Sequence, residues 1–361
     1  MKHPSVSRRT FLSRAALGGL AAGTALRGFA AGGPAPTGAS AASRDQARRG
    51  DQRLTLAELQ AWEAWRYGMF IHFGMSTFVG QELPDGKAPA SAYDPDRLDV
   101  DSWIQIARDA GMRYAVLTTK HVAGHCLWPT KHTEYSVATS GNKTDVVEAF
   151  VKACAKRGLR PGFYYCSWDN HNRFGSQTPS DPPGWNKSFT TSLYQTFQTN
   201  QITELLTQYG SVDEMWIDIP GVLGRGYRTF LYEHVTQLQP RCVIMMNNGF
   251  WDGGKYDIEY AWPSDIISIE RSLPAGAKYE KWRTIEGQTY YLPGEICDPV
   301  GKNWFYVEGE MPRPDQELAQ LWATAREHQV NLLLDVGPDK HGRIPKPFRD
   351  ALMRLRTLVG L

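Results

Sequence analysis

Residues 212–220 read VDEMWIDIP, and the fold turns on how that stretch is read. Met215, Trp216 and Ile217 are apolar in a row, as in a strand buried on both faces. Asp218 follows at once, and Ile219, Pro220 and Gly221 end the run. A carboxylate at the C-terminal lip of a strand is where a barrel of parallel strands keeps its chemistry. Alone, such an aspartate is more readily read as a cap on the loop or the next helix. The rest of the chain decides between the two.

The same grammar repeats on either side. Apolar runs at 67–73, 114–118, 162–167, 243–246, 266–269, 290–295 and 331–335 read as further strands. Between several of them apolar residues fall at helical spacing: Trp103, Ile106, Ala107 and Ala110; Val146, Val147, Phe150, Val151 and Cys154; Leu318, Leu321, Trp322 and Ala325. Phe348, Leu352, Leu355 and Leu358 mark a closing helix. Eight strands alternating mostly with helices predict an α/β chain, a (β/α)8 TIM-like barrel over residues 53–361. A doubly wound sheet would place a glycine-rich phosphate turn after its first strand, and Phe73-Gly74-Met75 is not one. Residues 79–100 and 175–191 read as long loops, the second long enough for a lid.

Polar residues gather at the predicted C-terminal strand ends: His72, Lys120 and His121, Trp168 and Asp169, Asp218, Asn247 and Asn248, Glu270 and Arg271, Glu295, and Asp335. The opposite ends carry no comparable set. Two carboxylates facing each other across a pocket walled by histidine and tryptophan suit glycoside hydrolysis, one as nucleophile and one as proton donor. Tryptophan faces stack on sugar rings, and imidazoles and amides bond their hydroxyls.

Of the 361 residues, 42% are hydrophobic, 22% charged and 12% aromatic, with twelve tryptophans; this is a globular, aromatic-rich chain. The five cysteines lack any CxxC spacing, which argues against a zinc ribbon or a disulfide framework. A metal-dependent barrel hydrolase would want a second histidine two residues after His72, where Gly74 stands, so neither metal nor cofactor is expected. Residues 7–12, SRRTFL, form a twin-arginine pattern, followed by a short apolar run at 15–25 and small residues suited to cleavage. The predicted organisation is a twin-arginine signal peptide over 1–42, a linker over 43–52 and then the barrel. The expected location is the periplasm or beyond, with no membrane attachment after cleavage. Without 1–42 the chain has 35 basic and 38 acidic residues, and no basic patch points to nucleic acid.

Five stretches resemble glycoside hydrolase family 29, the alpha-L-fucosidases, across residues 62–358. Residues 66–74, RYGMFIHFG, are similar to the family's FGiFiHWG. Residues 118–128, TTKHVAGHCLW, are similar to TaKHHDGFcLW. MWID at 215–218 is similar to lWfDg. Glu295-Ile296-Cys297 with Trp304-Phe305-Tyr306 is similar to a late E-x-C…W-[GF]-Y element. NLLLDVGPDKHG at 331–342 is similar to NlLLNvgPd.dG.

The resemblance implies a retaining exo-glycosidase on a fucosylated oligosaccharide or glycoconjugate, with Asp218 as nucleophile. Glu259, Glu270 and Glu280 are the candidates for acid/base, and Glu270 is preferred because it ends a predicted strand. Substrate contacts would come from His72, His121, Trp128, Trp216, Glu295 and Trp304. The chain departs from the family where Val122 and Ala123 replace His and Asp. It departs again where Ala90-Ser91-Ala92-Tyr93 stands for the usual Glu-Trp pair, and where no arginine follows the fifth strand. These departures leave open a related sugar, such as an alpha-L-galactoside, or a sugar-binding pseudo-enzyme. No C-terminal β-sandwich is expected within this sequence.

Overall fold

The structure, a computed structural model, describes residues 52–173, 187–249, 253–274, 276 and 278–361. The chain divides into Met1–Arg44 and Asp45–Leu361, and all described residues belong to the second unit. The expected twin-arginine segment, most of the linker and most of the expected lid lie outside them. Gln52, read as the linker's last residue, is docked: its side chain exchanges two hydrogen bonds with the Tyr291 backbone (3.0 and 2.7 Å).

Eight parallel strands form one sheet, and a hairpin stands apart. In chain order the strands are β1 (Tyr67–Ile71), β2 (Tyr114–Lys120), β3 (Arg160–Cys166), β4 (Glu214–Asp218), β5 (Val243–Met246), β6 (Ile267–Glu270), the hairpin β7 (Trp282–Ile285) and β8 (Gln288–Tyr291), then β9 (Gly294–Pro299) and β10 (Asn331–Asp335). The sheet runs β5-β4-β3-β2-β1-β10-β9-β6. Its two end strands, β5 and β6, approach through one backbone bond, Asp265 N to Ile244 O (2.8 Å), and through side chains. Asp265 Oδ2 accepts from Ile244 N (2.8 Å) and Ser264 Oγ from Met246 N (3.1 Å), which nearly closes the barrel. The (β/α)8 reading therefore holds, with one exception. The hairpin stands between β6 and β9, where the repeat would place a helix.

The helices of at least ten residues are α3 (Val100–Asp109), α4 (Val146–Arg157), α5 (Ser192–Gln208), α6 (Arg225–Leu238), α8 (Asp315–Glu327) and α9 (Lys346–Val359). The shorter ones are α1 (Leu56–Glu63), α2 (Met75–Val79) and α7 (Ile258–Ala261). Aspartates open three of them: Asp99 accepts from Ser102 N, Asp145 from Glu148 N and Asp257 from Glu259 N, satisfying amides that a helix start leaves free. Strand residues alternate between two cores. Met69, Ile71, Met215, Ile217, Ile244 and Ile296 pack in the larger cluster with the helices, while Phe70, Tyr164, Trp216, Met245, Cys297 and Leu333 fill the barrel. This is why the strands read as unbroken apolar runs.

Inside the barrel the alternation produces layers. A polar lower layer holds Tyr114, Glu214, Glu295 and Asn331, which corrects the reading that the N-terminal strand ends carry no polar set: these residues sit at or next to the first position of their strands and point inward. An apolar middle layer holds Phe70, Trp216, Cys297 and Leu333. The upper layer holds His72, Asp218, Asn247, Glu270 and Asp335. Helix α1 inserts Trp62 against the lower layer, its indole N–H donating to Glu214 Oε2 (2.8 Å).

The strand predicted at 290–295 is a correction. Pro293 divides it: β8 ends at Tyr291 and β9 begins at Gly294. Proline cannot donate into a ladder, so it marks a break. Glu295 accordingly lies at the start of β9, not at its C-terminal lip.

Candidate active site

Each side chain at the upper rim is placed by strand parity. Glu214, Trp216 and Asp218 alternate along β4 on the face that looks into the barrel; Ser268 and Glu270 do the same on β6. The rim surrounds a cavity of about 200 Å3, lined by His72, His121, Trp216, Asp218, Glu270 and Trp304 among others. Six of the eight predicted site residues thus converge.

Both carboxylates are followed by a non-glycine residue in left-handed backbone, Ile219 at φ 49° and Arg271 at φ 54°. For a β-branched isoleucine this conformation is costly, on the order of 1–2 kcal/mol. Strain kept at both lips is a mark of positions where geometry has a task.

Asp218 has both oxygens engaged. Tyr164 donates its hydroxyl to Oδ2 (2.5 Å), and Asn247 Nδ2 donates to Oδ1 (2.7 Å). The same Asn247 Nδ2 donates to Glu270 Oε2 (2.9 Å). Those two carboxylate oxygens can be no farther apart than the two bonds laid end to end. Two carboxyls drawn onto one nitrogen in this way are compatible with the roughly 5–5.5 Å between the carboxyl groups of retaining glycosidases. Burial, and then the negative charge of Asp218, raise the Glu270 carboxyl to about 7, against the opposing pull of Asn247, Arg271 and His72. Such a group carries a proton near neutral pH and can give it up.

His72 is held at Nδ1 by Asp335 Oδ1 (2.7 Å), which leaves Nε2 for the pocket. Burial raises the Asp335 carboxyl to about 6, with His72 opposing. His121 stacks on Tyr164, with ring centroids 5.7 Å apart. Burial and the repulsion of His72 and Lys120 hold its pKa well below the ordinary value, so the ring is neutral and can serve a hydroxyl as donor or acceptor. Its Nδ1 is buried with no hydrogen-bond partner among the described residues. Trp304 packs against His72 at 5.1 Å and lies under the Arg271 guanidinium at 4.5 Å.

Two expected substrate contacts are corrected. Trp128 is fully buried outside the cavity lining, donating its indole N–H to Glu204 Oε2 (2.9 Å) on α5. It is a core residue between the loop after β2 and that helix. Glu295 is also fully buried and below the cavity, accepting from Tyr114 OH (2.5 Å) and Trp216 Nε1 (3.0 Å). Trp216 lines the cavity with its ring, but its N–H is spent on Glu295 and Glu214. Of the other acid candidates, the Glu259 side chain is 74% exposed beside Arg225, and Glu280 accepts from Trp282 N. Both line a separate groove beside the hairpin.

Sequence reading missed several lining residues. Tyr164 follows the parity of Cys166 on β3, a signal that was available. Tyr260 reaches the cavity only because Gly221 lacks a side chain; a Cβ there would stand 2.2 Å from the Tyr260 ring. The loop contribution sought at 90–93 comes instead from Glu82 and Leu83. Val122 and Ala123 are buried and absent from the lining, so their departure from the family pattern lies behind the cavity wall.

The Alpha-L-fucosidase family model matches residues 85–357. Alpha-L-fucosidase 1 of Arabidopsis thaliana is 31% identical over 298 residues, 78% of this chain and 56% of its own length; the chain spans little more than half of that relative. Among solved structures, alpha-L-fucosidase isoenzyme 1 from Paenibacillus thiaminolyticus matches with a TM-score of 0.70 at 26% identity, over 84% of this chain and 75% of its own. Alpha-L-fucosidase AlfC from Lactobacillus casei, 22% identical, shares the fold at a TM-score of 0.67 over 84% of this chain and 98% of its own. With the family model spanning almost the whole described barrel, including both rim carboxylates, the chain belongs to the alpha-L-fucosidase family, glycoside hydrolase family 29.

Proposed function

We propose that the protein is a retaining exo-glycosidase that removes alpha-L-fucosyl residues from glycans. The observation that carries this reading is the pair Asp218 and Glu270, joined through one amide nitrogen inside a cavity of about 200 Å3. Asp218 attacks the anomeric carbon while Glu270 gives its proton to the leaving oxygen. Water then adds to the glycosyl-enzyme, with Glu270 taking the proton back. His72 and His121 bond ring hydroxyls. Phe70 and Trp304 line the cavity and would supply an apolar wall for the sugar's methyl group.

That wall also bears on the sugar. An alpha-L-galactoside differs from the fucoside by a hydroxyl on that methyl carbon. An apolar wall rejects an added hydroxyl only modestly, by about 10²-fold. Slower turnover of the galactoside is therefore expected. Proton NMR of the first product from an aryl alpha-L-fucoside tests the mechanism, with the alpha anomer expected. The beta anomer would overturn retention, and failure to cleave any fucoside while binding fucose would establish a pseudo-enzyme.

We also propose export by the twin-arginine route, from residues 7–12. The variant Arg8→Lys with Arg9→Lys should stay in the cytoplasm, and its unchanged secretion would remove the idea.

A further inference from the structure

The atom joining the two rim carboxyls belongs to neither of them. Asn247 follows β5, and its side chain is fixed from behind. Its Oδ1 accepts from Gly249 N (3.0 Å) and from the Ser268 hydroxyl. An amide whose oxygen already meets two donors cannot turn over without setting N–H against N–H and O–H. Nδ2 must therefore face the pocket, where each of its two hydrogens meets one carboxylate (2.7 Å to Asp218, 2.9 Å to Glu270). Ser268 lies two residues before Glu270 on the same face of β6, so the strand that carries the acid also orients the amide.

We infer that Asn247 is a positioning residue, a rigid spacer that sets the separation of the two carboxyls; the inference rests on the glycosidase reading above. Like charges at this distance repel; the β5–β6 seam is joined lower down by Asp265 N to Ile244 O (2.8 Å) and at the rim by Asn248 N to Ser268 Oγ (3.3 Å), and Asn247 Nδ2 is the group that meets both carboxyls. One planar amide fixed to both strands holds the pair together and admits little variation in their spacing. It also donates to Glu270 in its ionised form, which tempers the rise caused by burial. The other groups facing Glu270 are Asp218 from β4, His72 from β1, its neighbour Arg271, Cys297 from β9 and Tyr260 from α7.

The test has two readouts. In Asn247→Ala the donor is gone, the Glu270 proton is held more tightly, and the alkaline limb of the rate profile should move up by about 0.5–1 pH unit. With the spacing released, kcat should fall on the order of 10²-fold, more than KM changes. Asn247→Asp, which replaces the donor by a third carboxylate, should lose more. Ser268→Ala keeps the amide but frees its oxygen, and should show the same shift in smaller measure; it serves if the first variants do not fold. The second readout needs no substrate. In protein carrying 13C-labelled glutamate, the Glu270 carboxyl resonance, assigned through Glu270→Gln, is titrated in wild type and variants. A midpoint unmoved by Asn247→Ala and Ser268→Ala overturns the spacer. A moved midpoint in a protein that cleaves no fucoside upholds the spacer and rejects the fucosidase reading.

Discussion

Two acid pairs sit one above the other in this barrel, and they differ in almost everything except chemistry. Strand β4 contributes to both, Glu214 below and Asp218 above, with the Trp216 ring between them. The upper pair is bridged by an amide, opens to a cavity, and is flanked by strained backbone. The lower pair, Glu214 and Glu295, is fully buried and bridged by the Trp216 indole N–H (2.9 and 3.0 Å). Trp62 and Tyr114 donate to its remaining oxygens. Tyr114 reaches Glu295 across Gly68, where a Cβ would stand 2.5 Å from the tyrosine ring. The lesson is that a perturbed carboxylate is not by itself a catalytic one. Glu270 and Glu295 are both raised to about 7, chiefly by burial, yet only Glu270 meets a space that a substrate can enter.

The sharpest break between the pairs should be kinetic. Asp218→Ala should lower turnover by about 10⁴-fold or more, as removal of a covalent nucleophile does. Azide should restore activity and give the inverted glycosyl azide. Glu270→Ala should cost about 10²–10⁴-fold on natural glycans. Aryl fucosides with good leaving groups need little protonation, so azide should speed their turnover with configuration retained. Glycan cleavage by Glu270→Ala at near the wild-type rate would assign the acid elsewhere.

The lower pair should instead be read in stability. Glu295→Ala leaves Tyr114 without its acceptor and opens a void beside a buried acid, at a cost of about 3–5 kcal/mol in chemical denaturation. Glu295→Gln is different. Its oxygen can accept from Tyr114, its amide can donate to Glu214, and Trp216 keeps Glu214 as acceptor. The loss should be about 1 kcal/mol, with kcat/KM held within a few-fold. The sign of the pH effect follows from the raised carboxyl. Its stabilising contribution is complete below about 4.3, the ordinary glutamate value, and lost as pH rises through about 7. Glu295→Gln should flatten the decline across that window. An unchanged slope would show that the pair holds no shared proton.

The pH profile of turnover adds a gentler contrast. Glu270 must be protonated to act, so kcat/KM should fall as pH rises through about 7. Glu295→Gln should leave that limb in place, because the lower pair is separated from the cavity by the Trp216 ring. A limb that moved with Glu295 would couple the two pairs.

How much of this was legible in the chain follows from parity and punctuation. Apolar runs ending in polar residues predicted the rim at His72, Asp218, Glu270 and Asp335, while the alternation that turns Asp218 inward on β4 is seen only in the structure. Missing the break at Pro293 moved Glu295 from the floor to the lip, and with it a substrate role. The roles of Asn247 and Tyr164 depend on partners about thirty and fifty residues away, which spacing along one strand does not reveal. Residues 82 and 83 lie in a loop, where no periodicity tells which side chains turn inward.

The smallest effect belongs to the two tryptophans expected to touch sugar, Trp128 and Trp304. Trp304 faces the cavity beside His72, and Trp128 does not. Trp128→Phe keeps most of the buried ring and removes the N–H that donates to Glu204 (2.9 Å). Glu204 retains Thr130 Oγ1 (2.6 Å) and Lys131 N (3.0 Å), so its carboxylate is not stranded. The cost should be about 1–2 kcal/mol from one lost bond to a charged acceptor and a smaller ring in the same space. KM for an aryl fucoside should not change. Trp304→Phe should reverse the pattern: little change in melting, but a KM raised several-fold, because the shortened ring leaves part of the sugar's apolar face uncovered. If Trp128→Phe raised KM while melting stayed constant, Trp128 would belong to the cavity and not to the core.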